Sequence, residues 1–312
     1  MNILMLGAGR RVSLVNRLKR AGQLEGEEVN VFAYEDSVYC AISNRAKVIA
    51  GKKWTDPSFK SDLFSIIERE KINVVIPLMD GATVALSELS GEIKNCWACV
   101  SRADLCNTFY DKRKSEDWFV SHNVRTPLFR ENEEIVFPAI VKDAFGFGAK
   151  GQYVVQNVRE LADACSILKR YVVQPFIKGR EYSVDAYVSK SGETLGCVTR
   201  IRLHVIGGEV CNSITKKNSL LENECRRILS LGGFQGPITL QAIETTEGFY
   251  FLEINPRFGG GVILSMEAGA DFAGMVIREA LSRPVGKTEW REELMMTRAY
   301  QETFHEGVKL WS

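Results

Sequence analysis

The chain has 312 residues, of which 45% are hydrophobic and 25% are charged, and its formal net charge at pH 7 is +1. This length allows about two domains, and the composition is typical of a globular protein that buries a sizeable core. The small net charge excludes a general electrostatic attraction to nucleic acid or to an anionic membrane, so neither is expected as a partner.

Cysteine usage and the apolar segments indicate the compartment. Eight cysteines are spread along the chain, and although Cys96 and Cys99 have the spacing of half a zinc site, no second pair follows. Ile3–Ala8 is too short for a signal-peptide core, and no later segment approaches the roughly 18 apolar residues of a membrane span. We therefore expect reduced, buried thiols and a cytoplasmic location.

Strand and helix patterns alternate over residues 1–106, which predicts a parallel α/β sheet. The expected elements are strand 2–6, helix 12–21, strand 29–34, helix 58–70, strand 74–77, helix 81–90 and strand 98–100. Ligands of such sheets bind beyond the carboxyl ends of the strands. Arg10, Asp36 and Asp80 follow three of these strands and are therefore candidate substrate-binding residues.

A glycine-rich turn, Gly7–Gly9, follows the first strand, as a dinucleotide-binding fingerprint would. Val12 occupies the place of the third glycine, which allows close packing of helix on strand in that motif. NAD binding is therefore one alternative. A tight turn that offers backbone N–H groups to a small substrate is the one that the residues favour.

The pattern changes after residue 107 to a mixed, largely antiparallel α+β arrangement. The expected elements are helix 112–123, strands 139–142 and 152–156, helix 159–170, strands 171–176, 181–188 and 195–203, helix 218–230, a hairpin over 237–255, and helices 263–269 and 272–282.

The segment Gly146–Gly151 matches G-x-G-x-x-G, but a strand follows it where a dinucleotide-binding fold needs a helix. Gln152 follows it where a Walker A loop needs Gly-Lys-Ser/Thr, and Lys142 precedes it where protein kinases place their lysine after the loop. A glycine-rich flap over a triphosphate remains, since glycines let backbone N–H groups approach phosphate oxygens. An ordinary surface hairpin is the alternative.

Two further segments suit ligand recognition. Pro175 interrupts the pairing of the strand that leads to Phe176 and Ile177, and such a hinge can hydrogen-bond an adenine edge while Glu181 accepts from ribose hydroxyls. A plain strand end is the alternative there. Arg200 and Arg202 alternate along one strand and so share a face, where guanidinium groups suit carboxylate or phosphate. A solvated edge strand is the alternative.

The last hairpin carries the most specific pattern. Glu253, Asn255 and Arg257 occupy alternate positions and so point to one face, because strand side chains have a period of two. If the hairpin turn centres on Glu247, Gln241 lies opposite Glu253 on the same face. Three hard oxygens would then converge beside an arginine, which suits a magnesium ion shared with nucleotide phosphates. The alternative is a solvated polar face, although Asn and Glu are depleted in strands.

Taken together, these motifs resemble the ATP-grasp superfamily, and within it the carbamoyl-phosphate-synthase-like and amino-acid-ligase branch. The resemblance covers most of the chain and implies an α/β plus α+β fold. A Rossmann-like pre-ATP-grasp domain would span residues 1–106 and an ATP-grasp fold residues 107–312. Within the latter, a smaller lid subdomain (107–180) and a larger metal-binding subdomain (181–312) would enclose the nucleotide. The implied cofactors are ATP and Mg²⁺, with Mn²⁺ as a substitute.

The resemblance also implies residue roles. The nucleotide would be bound by Lys112, Lys142, Gly146, Gly148, Gly151, Gln174, Phe176, Ile177 and Glu181. The metal would be bound by Gln241, Glu253 and Asn255. Arg257 and Lys142 would be catalytic, and Arg10, Asp36, Asp80, Arg200 and Arg202 would contact the substrates. Asp143 departs from the family, because proline is frequent at its position.

The implied reaction is an ADP-forming ligation through an acylphosphate, with a small carboxylate, such as an amino acid, and an amine or thiol as substrates. A homodimer is the family-level expectation. The chain holds one such unit and no glutaminase segment, so it is not expected to make carbamoyl phosphate alone. Two other classes stay open: a non-catalytic ATP-binding regulatory or assembly subunit, and an NAD-dependent enzyme that uses Gly7–Gly9.

Overall fold

The computed structural model describes residues 1–130, 134–145, 151–299 and 301–308. They form two compact units. The first contains Met1–Val100, Asp271–Gly286 and the described residues from Arg298 onward, and the second contains Ser101–Ala270 and Lys287–Thr297. The domain boundaries at residues 106 and 180 stay predictions.

A five-stranded parallel sheet forms the centre of the first unit, with strand order β3-β2-β1-β4-β5. Its elements are β1 (Asn2–Leu6), α1 (Val12–Leu24), β2 (Asn30–Glu35), a 3-10 helix (Ala41–Asn44), β3 (Lys47–Ala50), α2 (Phe59–Arg69), β4 (Val74–Pro77), α3 (Asp80–Leu89) and β5 (Trp97–Ala98). Ile3–Leu6 are completely buried, which explains the unbroken apolar run: a central parallel strand is covered on both faces.

The second unit contains two antiparallel sheets. The smaller sheet has the order β7-β6-β8 and the larger the order β13-β12-β9-β10-β11-β14. The elements up to the end of the smaller sheet are α4 (Ala103–Tyr110), α5 (Lys112–Ser121), β6 (Ala139–Asp143), β7 (Gln152–Val155), α6 (Val158–Ile167) and β8 (Tyr171–Pro175). The remaining elements of this unit are β9 (Arg180–Val188), β10 (Thr194–Ile206), β11 (Glu209–Thr215), α7 (Ser219–Leu229), β12 (Gly236–Thr245), β13 (Gly248–Asn255), α8 (Val262–Glu267) and β14 (Met295–Thr297). Between α8 and β14 the chain forms α9 (Phe272–Ala280), which is part of the first unit.

The larger sheet is apolar on one face only. Alternate residues of β9 and β12 on that face, including Val184 and Leu240, form a buried cluster with Phe251 and Ile254 of β13 and with side chains of α4, α5 and α7. Period-two alternation therefore directs the remaining side chains of these strands to the opposite face. The α/β plus α+β class expected from the sequence is confirmed.

Helix α9 belongs to the first unit, where it packs on α1. Arg278 bridges Glu25 and Asp271 at 2.8 and 2.6 Å, and Arg283 lies 3.2 Å from Glu25. The chain then returns to the second unit, where β14 pairs with β11. This assigns structure to part of the C-terminal stretch, for which sequence signals are weak.

The eight cysteines are free thiols, with Cys99 and Cys106 buried and Cys96 half-buried. Burial raises the pKa of the Cys96 thiol to about 12, so it stays protonated at neutral pH. Within the described ranges, no three His, Cys, Asp or Glu side chains are grouped to hold a metal ion. None of the helices in the described part of the chain has the length and apolarity needed to cross a bilayer.

Gly179 lies where the chain crosses close over β12. A Cβ atom there would be 2.2 Å from the carbonyl oxygen of Glu244 and 2.5 Å from Cγ2 of Ile243. Gly179→Ala is therefore expected to lower the free energy of unfolding by about 1–3 kcal/mol, as overpacking does. Urea unfolding measures this. Gly286→Ala is the matched control, because nothing lies within 4 Å of a Cβ atom there. Equal stability of the two variants would contradict the prediction.

Candidate active site

The second face of the larger sheet carries a row of polar side chains on four neighbouring strands. This polar face consists of Glu181, Ser183 and Asp185 of β9, Arg200 and Arg202 of β10, Thr239 and Gln241 of β12, and Glu253 and Asn255 of β13. Ser183 pairs with both Gln241 and Arg200, and Asp185 pairs with Thr239. The registers therefore bring together residues that lie up to about 75 positions apart in sequence.

The hairpin of β12 and β13 pairs Gln241 with Glu253. Near the turn, Thr245 pairs with Gly248, and this register alone would place Leu252 opposite Gln241. A bulge between Gln241 and Ala242 shifts the register by one residue and restores the predicted pair. The turn is thus centred half a residue before Glu247, and the bulge compensates for it.

The four side chains of this hairpin form one hydrogen-bonded cluster. Gln241 Nε2 and Asn255 Nδ2 both donate to Glu253 Oε1, the second at 2.9 Å. Arg257 Nη2 donates to Asn255 Oδ1 at 3.2 Å. All four side chains are half-buried. The cluster therefore presents one carboxylate, two amides and one guanidinium at a surface that a ligand can reach.

Lys142 and Glu181 extend this charge pattern. Burial lowers the pKa of Lys142 to about 8, against the opposing influence of Glu253 and Glu181 and with a further lowering by Lys112. Burial raises the pKa of Glu181, against the influence of Arg202, Lys142 and Arg200 and together with that of Glu253. Lys142, Glu181 and Glu253 are therefore close enough to influence one another electrostatically. The lowered pKa means that Lys142 loses its proton at a lower pH than an exposed lysine does.

Arg200 and Arg202 occupy an interior strand, which excludes the solvated edge. Arg202 Nε lies 2.8 Å from Glu181 Oε1 as an ion pair, without hydrogen-bond alignment of that N–H, and Arg202 also donates to Ser183 Oγ at 3.4 Å. Arg200 is 1% exposed and donates to both oxygens of Asp185, at 2.8 and 3.3 Å. Arg202 thus lies beside Glu181, the predicted ribose acceptor, whereas Arg200 is buried in the interior.

Two groups of the predicted adenine hinge already form hydrogen bonds within the protein. The buried Gln174 side chain donates to the carbonyl of Pro127 at 2.7 Å, and the Phe176 N–H donates to the carbonyl of Pro138 at 3.1 Å. The Phe176 ring is exposed, as stacking on a base would require.

The residues of the predicted flap are only partly described. Gly146 and Gly148 lie outside the described residues. Gly151 has a φ of +67°, a conformation that favours glycine, and its carbonyl accepts from the N–H of Asp143 at 2.9 Å. Lys112 begins α5, and its N–H donates to the carbonyl of Ala144 at 3.0 Å, which ties this helix to the strand that carries Lys142.

In the first unit, Arg10, Asp36 and Asp80 follow β1, β2 and β4 at one edge of the parallel sheet. Glu35 folds back on the glycine turn, where its carboxylate accepts hydrogen bonds from the N–H groups of Ala8 and Gly9. These two groups are therefore engaged by the chain rather than offered to a ligand. A carboxylate in this position would also repel the negatively charged pyrophosphate of NAD.

Burial raises the pKa of Glu35 to about 7, with a smaller contribution from Asp36 and against the hydrogen bond from Ala8. The folded protein thus holds this proton more tightly than the unfolded chain, so Glu35 lowers the free energy of unfolding as pH rises from about 4.5 to 7. One pKa unit corresponds to about 1.4 kcal/mol, so the upper limit of the loss is about 3.5 kcal/mol, and solvent screening of this half-buried carboxylate makes it smaller.

Glu35→Gln is therefore expected to become more stable relative to the wild type as pH rises over this window. Urea unfolding at pH 5, 6, 7 and 8 measures the difference, with Glu28→Gln, at an exposed position, as control. Parallel curves for wild type and Glu35→Gln would contradict the prediction.

The polar face also involves Asp185, Thr239 and Ser265, which were not predicted from the sequence. Ser265 Oγ donates to Asp185 at 2.6 Å, and Thr239 Oγ1 lies 3.3 Å from both Asp185 Oδ1 and the carbonyl of Arg257. The available signal was the alternation of polar residues in β9, where Glu181, Ser183 and Asp185 occupy every second position.

Two family comparisons cover most of the chain. Residues 3–97 match the family described as PylC-like, N-terminal domain, and residues 168–302 match the family described as ATP-grasp in the biosynthetic pathway with Ter operon. The carbamoyl phosphate synthase large chain of Clostridium botulinum (strain Alaska E43 / Type E3) is 26% identical over 239 residues, which cover 67% of this chain and 22% of that protein. The chain therefore spans less than a quarter of the length of the curated relatives that it matches.

Solved structures of similar fold cover nearly the whole chain. N5-carboxyaminoimidazole synthetase from Staphylococcus aureus complexed with ADP has a TM-score of 0.74 at 17% identity, over 93% of this chain and 79% of that chain. L-amino acid ligase from Bacillus licheniformis has a TM-score of 0.71 at 18% identity, over 91% and 75%. The biotin carboxylase domain of the Hydrogenobacter thermophilus 2-oxoglutarate carboxylase, in complex with MgADP, has a TM-score of 0.70 at 17% identity, over 92% and 71%. At these identities the likeness shows the fold.

Proposed function

We propose that this chain is an ATP- and Mg²⁺-dependent ligase, since it contains a PylC-like N-terminal domain followed in sequence by an ATP-grasp domain. The ligase would join a small carboxylate to an amine or thiol and release ADP. The observation that carries the proposal is the cluster of Gln241, Glu253, Asn255 and Arg257 on the polar face. A binding module without turnover has no need for an arginine beside such a cluster.

The residues of this cluster fit a magnesium ion. Glu253, Asn255 and Gln241 carry hard oxygen donors, the ligands that Mg²⁺ prefers, and they number few enough to leave room for phosphates and water. Both amides now donate through nitrogen to Glu253, and rotation about their soft terminal torsions would present oxygen instead. When bound, the ion would align the phosphates and offset their charge.

In the proposed reaction, an oxygen of the substrate carboxylate attacks the γ-phosphorus of ATP and the bond to the bridging oxygen of ADP breaks. The amine then attacks the carbonyl carbon of the acylphosphate, phosphate leaves, and the amine loses a proton. Lys142 and Arg257 would hold positive charge where negative charge grows, and such electrostatic stabilisation supplies most of the rate enhancement in many enzymes. Glu181 would accept hydrogen bonds from the ribose, and the Gly146–Gly151 flap would exclude water.

Substrate recognition is proposed for Arg10, Asp36 and Asp80 in the first unit and for Arg202 in the second. The three side chains of the first unit by themselves offer charges of both signs, which suit the carboxylate and ammonium groups of an amino acid. A cytoplasmic location, a homodimer and the use of Mn²⁺ in place of Mg²⁺ are further parts of the proposal.

A screen for ADP release from Mg-ATP with pooled amino acids and small carboxylates tests the proposal. Hydroxylamine should trap the acylphosphate as a hydroxamate, so ADP release in its presence identifies the activated carboxylate even when the natural amine is absent. Pool-dependent ADP release with a hydroxamate product would support the ligase. Tight ATP binding with no ADP release from any pool would instead favour the non-catalytic subunit.

A further inference from the structure

Asp185 is the centre of a buried hydrogen-bond network. It is 1% exposed, and its two oxygens accept from Arg200 Nε and Nη2 and from Ser265 Oγ, with Thr239 Oγ1 also within 3.3 Å. We call Asp185, Arg200, Ser265 and Thr239 the buried brace. Its members come from β9, β10, α8 and β12, so it joins three strands of the sheet to one helix.

The turn between β13 and α8 lies directly on this brace. A Cβ atom at Gly259 would be 2.7 Å from Thr239 Oγ1, and one at Gly261 would be 2.6 Å from Arg200 Cζ. Thr239 Oγ1 is also within 3.3 Å of the carbonyl of Arg257. The backbone of the turn is therefore held against the brace by Thr239, and the helix that follows the turn is held by Ser265.

This turn carries Arg257, whose guanidinium donates to Asn255 within the candidate metal cluster. The position of that guanidinium depends on the path of the turn, because Arg257 lies only two residues after the end of β13. A displacement of about 1 Å in such a group can cost about 100-fold in rate.

Arg200 cannot itself be reached by a substrate, since it is fully buried and covered by Gly261. Its Nη1 has no hydrogen-bond partner within the described residues. A buried ion pair contributes little net stability relative to apolar packing, whereas it can specify one geometry. This combination favours a positioning role over a stabilising one.

We infer that Asp185, together with Arg200 and Ser265, positions Arg257 for phosphoryl transfer by fixing the turn between β13 and α8. The inference rests on the proposed ligase function. It replaces direct substrate contact as the role of Arg200.

A double-mutant cycle separates positioning from stability. Asp185→Asn and Ser265→Ala are each expected to lower kcat for ADP release by about tenfold and to change the KM for ATP by less than about threefold. In an Arg257→Ala background, neither change should lower kcat further, because the group that they position is gone. The same fall in kcat in both backgrounds would overturn the inference, as would a change confined to KM.

Two further comparisons distinguish a loss of positioning from a loss of folding. Ser189→Ala removes another buried serine, directly after the end of β9, and should leave kcat unchanged whatever its effect on Tm. Ser265→Ala leaves the Asp185–Arg200 pair intact, so it remains informative if Asp185→Asn does not fold.

Hydrogen exchange tests the buried brace independently of activity. Tight ATP binding with no ADP release from any pool would count against the ligase function, and the effect of the brace on the turn could still be measured. Asp185→Asn should raise amide exchange in residues 257–264 specifically, whereas the exposed Asp163→Asn should not. Unchanged exchange in these residues would overturn the inference independently of any activity.

Discussion

Glu253→Gln is expected to lower kcat for ADP release by about 100-fold or more, as the loss of one transition-state stabiliser does. Glu253 is the only carboxylate in its cluster, and it accepts from both neighbouring amides. Glutamine preserves the shape and removes the charge, so the candidate metal site loses its one anionic ligand. A titration of ADP release with Mg²⁺ should show a weaker apparent affinity for the ion.

A control on the same hairpin makes this result specific. Glu247 lies in the turn with a side chain that is 72% exposed, so Glu247→Gln makes the same chemical change away from the cluster and should leave turnover near wild type. Near-wild-type turnover in Glu253→Gln would remove this residue from the metal site. Equal losses in both variants would point to a general effect on the hairpin.

Lys142→Ala is expected to weaken the binding of Mg-ATP by about 10- to 100-fold at pH 7, since hydrogen bonds to charged groups contribute about 1.5–3 kcal/mol. The pKa of Lys142 is about 8, below its ordinary value of 10.5, so the ammonium form predominates below pH 8 and is lost as pH rises through it. Phosphates bind the charged form. The affinity of the wild type for ATP should therefore fall between pH 7.5 and 9.5.

Lys142→Arg is the matched variant for this pH dependence, because a guanidinium stays charged throughout the range. Its dissociation constant for ATP should change little with pH, and so should that of Lys142→Ala, at a weaker level. Isothermal titration at several pH values measures all three proteins. A wild-type dissociation constant that does not change up to pH 9.5, or that equals that of Lys142→Ala at pH 7, would contradict the role of Lys142 at the phosphates.

Much of the fold could be predicted from periodicity. The strands Asn2–Leu6 and Val74–Pro77 have the predicted bounds, because buried parallel strands are unbroken apolar runs. The strands β3, β11 and β14 were missed. β14 has three residues and β3 has four with no buried member, so each exists through its pairing with a neighbour rather than through a pattern of its own.

By itself, the sequence determined the α/β plus α+β class and the polar alternation of Glu253, Asn255 and Arg257, because hydrophobic periodicity and strand period are local properties. Only the tertiary structure decided which polar strands become neighbours. It placed Asp185 and Arg200 side by side in the interior, directed Glu35 into the glycine turn, and used a bulge to bring Gln241 opposite Glu253. Pairing register, burial and pKa depend on contacts between residues distant in sequence, and no local pattern encodes them.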